Sequence, residues 1–189
     1  MAYIPLEEHL PGITGLLEYR RDTAEPIREL TQFLLRGPST MSAAERELIA
    51  VAVSSDNSCL FCSNAHRAIA SQLLGENETV MLILRDPASA PVNAKMKALL
   101  TVARQVAESG KMVTPAAIEK ARAEGASDVE IHDTVLISAL FCLYNRYVDG
   151  LAVNTPEDPG YYASLAERIA NNGYRRLKQG YNHLKTQHK

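Results

Sequence analysis

Tryptophan is absent from this 189-residue chain, and only three phenylalanines and three cysteines occur in it. Three cysteines cannot form a disulfide scaffold, so stability must come from an apolar core, which a chain of this length can bury. No apolar run approaches the ~18 residues of a membrane span. The longest, residues 135–144, is interrupted by Ser138 and Cys142. The opening Met-Ala-Tyr-Ile-Pro-Leu-Glu-Glu has neither a basic start nor an apolar stretch, so no secretory signal is expected and the expected compartment is cytoplasmic. Neither charge is in excess. A net charge of -2 lacks the basic footprint of a nucleic-acid binder. The one local run of positive charge, Arg175, Arg176, Lys178, Lys185 and Lys189, reads as a solvated tail. Convincing runs of alternating β-branched residues are also missing, which argues against a sheet.

What the chain does have is helical periodicity, punctuated by Gly, Pro, Asn and Ser. After an irregular opening arm that ends in a short helix, helices are expected over about 24–35, 43–54, 59–74, 76–84, 93–108, 115–124, 128–153, 161–170 and 174–184. Ser42-Ala43-Ala44-Glu45 and Ser127-Asp128-Val129-Glu130 are capping boxes, in which the Ser accepts from a free backbone N–H and the Glu reaches back. Ser58 is the expected N-cap of helix 59–74. In helix 43–54 the inner face would be Leu48, Ile49, Ala52 and Val53. The long apolar helix to about residue 153 is the expected centre of the bundle. A weak internal repeat with an offset near 50 pairs the two halves, and chance similarity between Ala-rich helices would explain it equally well. The fold class is therefore all-α: an orthogonal bundle of about eight to ten helices in one domain over 1–189, with a core of about 24–155 and a helical extension of about 160–185.

The chemistry concentrates in Glu47-Leu-Ile-Ala-Val-Ala-Val-Ser-Ser-Asp-Asn-Ser-Cys59-Leu-Phe-Cys62-Ser-Asn-Ala-His66. In a helix, positions 59, 62 and 66 share one face, with Cys62 and His66 one turn apart. Cys59 and Cys62 are close enough for a disulfide across the first turn, as in other C-x-x-C redox motifs. The positive helix end stabilises a thiolate there. His66 can accept a thiol proton, and Glu47 can fold back beside it if residues 56–57 form a hairpin. Helix-end electrostatics favour Cys59 as the more acidic thiol, whereas proximity to His66 favours Cys62.

Two other readings compete. The two cysteines with His66 and Glu47 could hold zinc, although no second C-x-x-C or H-x3-H is present. The chain would then be a non-catalytic metal or ligand-binding module. The cysteines could also be inert core residues. Cys142, among Ile137, Leu140, Phe141 and Leu143, reads as a buried unreactive thiol. His132, beside Asp133, reads as a surface or packing histidine, and Glu45 as a capping residue. Asn145, Arg146 and Asp149 either satisfy buried neighbours or line a pocket or subunit contact.

The Glu47, Cys59, Cys62, His66 spacing resembles the E-x11-C-x2-C-x3-H pattern of AhpD-like proteins of the carboxymuconolactone decarboxylase family. The segment 145–150 and the tail 161–173 look like the peroxidase-related branch of that family. The resemblance is strongest over about 40–75 and looser over 30–155. It implies a thiol-dependent peroxidase without a cofactor. Cys62 would attack the hydroperoxide, Cys59 would condense with the sulfenic acid, and an unidentified thiol reductant would restore the pair. His66 and Glu47 would relay protons. The family's best-studied form has a second His between the cysteines, where this chain has Phe61. The resemblance also implies a homo-oligomer, commonly a trimer or hexamer. A carboxymuconolactone decarboxylase-like enzyme of the same fold is the rival reading, although those relatives generally lack the cysteine pair. No nucleic-acid or membrane partner is expected.

Overall fold

Nine α-helices and one short 3₁₀ turn make up the regular structure of this computed structural model, which describes residues 2–181. No strand occurs among the described residues. The helices are α1 (Ile13–Tyr19), α2 (Arg21–Arg36), α3 (Ala43–Asp56), α4 (Leu60–Leu74), α5 (Glu78–Arg85), α6 (Ala94–Glu108), α7 (Pro115–Ala123), α8 (Asp128–Gly150) and α9 (Pro159–Asn172). None of them is long and apolar enough to cross a membrane.

The centre of the bundle is α3, and not the long α8 expected from length alone. Every residue of α3 from Arg46 to Ser54 is buried, and the helix packs against α2, α4, α5, α6 and α8. The reason lies in its composition. Leu-Ile-Ala-Val-Ala-Val-Ser-Ser has no polar face, and its small residues let neighbours approach on all sides. The longer α8 keeps an outer face, with Val129, Leu143, Arg146 and Asp149 exposed. Two charged exceptions in α3 have partners. Arg46 donates to the carbonyls of Leu34 and Gly37, tying down the 37–42 loop, and Glu47 belongs to the site described below.

Both capping boxes form as expected: the Ser42 and Glu45 pair opens α3, and the Ser127 and Glu130 pair opens α8. At the other end of α3 the cap differs from expectation. Ser58 is not an N-cap. It lies in the left-handed region at φ 58°, as the residue just past the end of α3. The Cys59 N–H donates to the Ser54 carbonyl at 3.0 Å and the Ser58 N–H to the Ser55 carbonyl at 2.9 Å. These bonds define a Schellman motif with serine where glycine is usual. Cys59 thereby ends α3 and is also the N-cap of α4, so the helix begins one residue late. The same pattern closes α8 with Ala152 at φ 49°: the Val153 N–H reaches the Val148 carbonyl and the Ala152 N–H that of Asp149. This ends α8 at Gly150, before the expected 153.

The C-terminal region also differs. Residues 174–181 form turns in place of the expected helix 174–184, whose last three residues lie outside the described residues. Gly173 at φ 68° turns the chain back, and the Tyr174 N–H donates to the Gln32 Oε1 on α2. The ring of Tyr174 is thereby sent inward towards α3. Arg175 pairs with Glu29 and Arg176 with Glu18, so these two basic residues are engaged with the bundle and do not belong to a free tail. Lys185 and Lys189 lie outside the described residues.

Candidate active site

The 56–59 turn makes α3 and α4 a tight antiparallel hairpin, so Glu47 on α3 lies beside His66 on α4. The His66 Nδ1 is 2.7 Å from Glu47 Oε2. Glu47 is completely buried, and two more groups meet its other oxygen. Arg36 Nη2 lies 2.7 Å from Oε1, an ion pair whose angle is not that of a hydrogen bond. The Tyr174 hydroxyl donates to the same Oε1. Burial pushes the Glu47 carboxyl up, but His66, Arg36 and Tyr174 outweigh it and hold the pKa below the usual carboxylate range. Burial and the Glu47 charge raise the Tyr174 phenol well above its ordinary value, so it remains a proton donor.

The cysteines form the second couple. Both are reduced and buried. The Cys59 thiol donates towards the Cys62 sulfur, which lowers the pKa of Cys62 despite its burial; the Asn145 amide adds a second donor. The same contact, with burial, raises the Cys59 pKa. Cys62 is thus the more acidic of the two thiols and Cys59 the less acidic. The cause differs from the two considered from sequence: it is the neighbouring S–H and an amide from α8. Asn145 is itself fixed, accepting from Asn57 Nδ2 at 2.9 Å and donating to Ser54 Oγ at 3.1 Å. It pins the α3–α4 turn to α8 and presents an N–H to the sulfur.

Cys62 and His66 line one cavity of about 80 Å³, and Cys59 and Glu47 stand behind its wall. Its other surfaces include Phe61, Phe141, Tyr144 and Tyr174. The His66 ring meets Phe141 edge-on at 4.5 Å between centroids and is near-parallel to Tyr174. With Nδ1 held by Glu47, Nε2 is the ring nitrogen left to exchange a proton with the cavity. Among the described residues no hydrogen bond joins the Glu47–His66 couple to the cysteine couple; the cavity joins them.

Phe61 occupies a close-packed site. Its ring contacts Tyr161 and Tyr162 at about 6 Å between centroids, and a Cβ on Gly12 would fall 2.0 Å from it. Of the other residues singled out from sequence, His132 is exposed and pairs with Asp133. Cys142 is half-buried and accepts from Asn57 Nδ2 at 3.4 Å. Arg146 and Asp149 are exposed. The zinc reading finds no set of ligands: among the described residues no three His, Cys, Asp or Glu side chains converge as a metal site. Glu47, the fourth donor that reading needs, has both oxygens occupied by Arg36, His66 and Tyr174.

Residues 21–105, which include the whole Glu47 to His66 segment, match the carboxymuconolactone decarboxylase family. Over that segment, 85 of the 189 residues, the chain is similar to members of that family. Solved structures agree with the fold. A peroxidase-related protein of uncharacterised function from Silicibacter sp. TM1040 is 26% identical, with a TM-score of 0.73 over 81% of this chain and 78% of that one. An uncharacterised peroxidase-related protein from Ralstonia eutropha JMP134, described as an alkylhydroperoxidase AhpD core, is 22% identical, with a TM-score of 0.76 over 87% and 96%. A protein of unknown function from Agrobacterium tumefaciens is 21% identical, with a TM-score of 0.66 over 84% and 100%. No protein of curated function matches the chain significantly. Like the AhpD-like structures it resembles, the chain is all-helical over its described residues.

Sequence reasoning missed Arg36 and Tyr174 as partners of Glu47. Arg36 ends a helix that carries no motif, and Tyr174 arrives from a turn 108 residues beyond His66. A signal for Tyr174 was present: Asn172-Gly173 predicts a chain reversal just before it.

Proposed function

We propose that this protein is a thiol-dependent peroxidase that reduces hydroperoxides through a Cys59–Cys62 dithiol cycle. The observation that carries the reading is that Cys62, the more acidic thiol, is on the wall of a cavity it shares with His66, with Cys59 directly behind. The Cys62 thiolate attacks the outer oxygen of the hydroperoxide. The O–O bond breaks, an S–O bond forms, and the alkoxide leaves as the alcohol once protonated. His66, held by Glu47, supplies that proton from its other nitrogen. The Cys59 sulfur then displaces hydroxide from the Cys62 sulfenic acid, forming the disulfide and releasing water as the Cys59 proton is transferred. A dithiol reductant returns two electrons and two protons.

Tyr174 and Arg36 keep Glu47 ionised and oriented, the phenol by donating to its Oε1. The active unit is taken to be a cytoplasmic homo-oligomer. The test is consumption of tert-butyl hydroperoxide with dithiothreitol as reductant. Turnover in wild type, and its loss in Cys62→Ser, supports the reading. Turnover of a carboxymuconolactone that survives in Cys59→Ser/Cys62→Ser, without hydroperoxide turnover in wild type, replaces it with the decarboxylase reading.

A further inference from the structure

The cavity beside Cys62 has a second chemical feature that the redox cycle does not use. Two arginines line it, Arg28 from α2 and Arg168 from α9, and no Asp or Glu does. Arg28 is 5% exposed, yet its Nη1 has no hydrogen-bond partner among the described residues. Its Nη2 donates to Glu18 at 2.9 Å, but Glu18 also serves Arg21 at 3.2 Å and Arg176 at 2.8 Å. One carboxylate therefore faces three guanidinium groups. Arg168 makes no ion pair among the described residues, and its guanidinium lies 5.5 Å from the centroid of the Tyr181 ring. Arg28 approaches the same ring at 6.0 Å. Tyr181 thus has a guanidinium near it from each of two helices.

A buried guanidinium with an unfilled donor is costly, and the cost is removed by an anion that fits the planar fork. Carboxylates do so with two parallel hydrogen bonds. Much of the remaining wall is apolar, including Leu17, Ile69, Phe141, Leu165 and Ile169. A ligand matching both features has a short apolar body and one carboxylate. The volume of about 80 Å³ sets its size, since a cavity of about 150 Å³ accepts benzene.

We propose that Arg28 and Arg168 form a carboxylate-binding end of the cavity, so that the hydroperoxide presented to Cys62 is a short-chain organic acid carrying the –OOH group. This substrate class rests on the peroxidase reading, whereas the carboxylate site itself does not. The test is therefore made first by binding, with butanoate and its uncharged counterpart butanamide as probes, on reduced full-length protein at low ionic strength. Butanoate is expected to bind at least tenfold tighter than butanamide. Arg168→Gln, at a half-buried position, should remove that preference, and Arg28→Lys, which keeps the charge but loses the fork, should reduce it. Cys62→Ser should keep it. Butanoate should also raise the apparent KM for tert-butyl hydroperoxide without changing kcat. Equal or absent binding of the two probes to wild type overturns the inference even if hydroperoxide is consumed. Preferential butanoate binding without any hydroperoxide turnover supports the carboxylate site and overturns the redox reading.

Discussion

Replacing Glu47 with Gln keeps the shape of the site and removes one charge from its most enclosed point. The consequence follows from the neighbours. Arg36 has a side chain 11% exposed, and Glu47 is the one carboxylate paired with it among the described residues. Its Nε and Nη2 already lack a hydrogen-bond partner, and Nη1 donates to the Leu35 carbonyl. In Glu47→Gln the guanidinium is left buried beside a neutral amide. Breaking a buried pair in this way costs about 3–5 kcal/mol. For a chain of this size that lowers Tm by roughly 6–20 °C. The cost is that of a stranded charge, so Arg36→Met/Glu47→Gln should recover much of it. The pH dependence has a definite sign. The folded pKa of Glu47 is below its unfolded value, so its contribution is present above about pH 4.3 and is lost as pH falls through the folded pKa. Glu47→Gln should lose this share of the acid sensitivity. Thermal unfolding of the three proteins at pH 7, and of wild type and Glu47→Gln down to pH 3, measures all of this. A single variant within 2 °C of wild type, or a double variant less stable than the single, would refute the argument.

Further consequences follow from other parts of the structure. Ser58→Gly and Ala152→Gly should each stabilise by about 0.5–1 kcal/mol, because glycine accepts a left-handed backbone at lower cost even after its greater unfolded-state entropy. A lower Tm in either would contradict the Schellman assignment. Gly12→Ala should cost at least about 2 kcal/mol, since its φ of 60° and ψ of -147° suit glycine and a Cβ would strike the Phe61 ring. Shrinking the ring in Gly12→Ala/Phe61→Leu should recover part of that loss in the same thermal assay. Asn145→Leu removes a donor to the Cys62 thiolate, so its pKa rises and less thiolate exists at pH 7. Iodoacetamide should then modify Cys62 more slowly at neutral pH, and an unchanged pH–rate curve would exclude Asn145 from the site.

Much of this was legible from residue order because it is local. Both capping boxes need only a Ser and a Glu three apart, and both form. The all-helical class follows from periodicity, and the spacing of Cys59, Cys62 and His66 is a property of a single helix. What was not legible depends on contacts between distant segments. The central place of α3 comes from its small all-round apolar surface, which length and capping do not reveal. Ser58 carries a cap residue's side chain, yet the hairpin forces it into a glycine's conformation. Glu47 was read as a partner of His66, but Arg36 and Tyr174 reach it from two other elements, and no local pattern marks them. The relative acidity of the two cysteines likewise depends on Asn145, 83 positions from Cys62 along the chain.

The central claim is that Cys62 takes oxygen from a hydroperoxide and Cys59 resolves it. Counting free thiols before and after one equivalent of tert-butyl hydroperoxide tests this most directly. Reduced wild type should fall from three thiols to one, with Cys142 remaining, and Cys59→Ser should accumulate a trappable sulfenic acid at Cys62. Three thiols still present after the addition, or oxidation at Cys59 or Cys142 with Cys62 untouched, would contradict it.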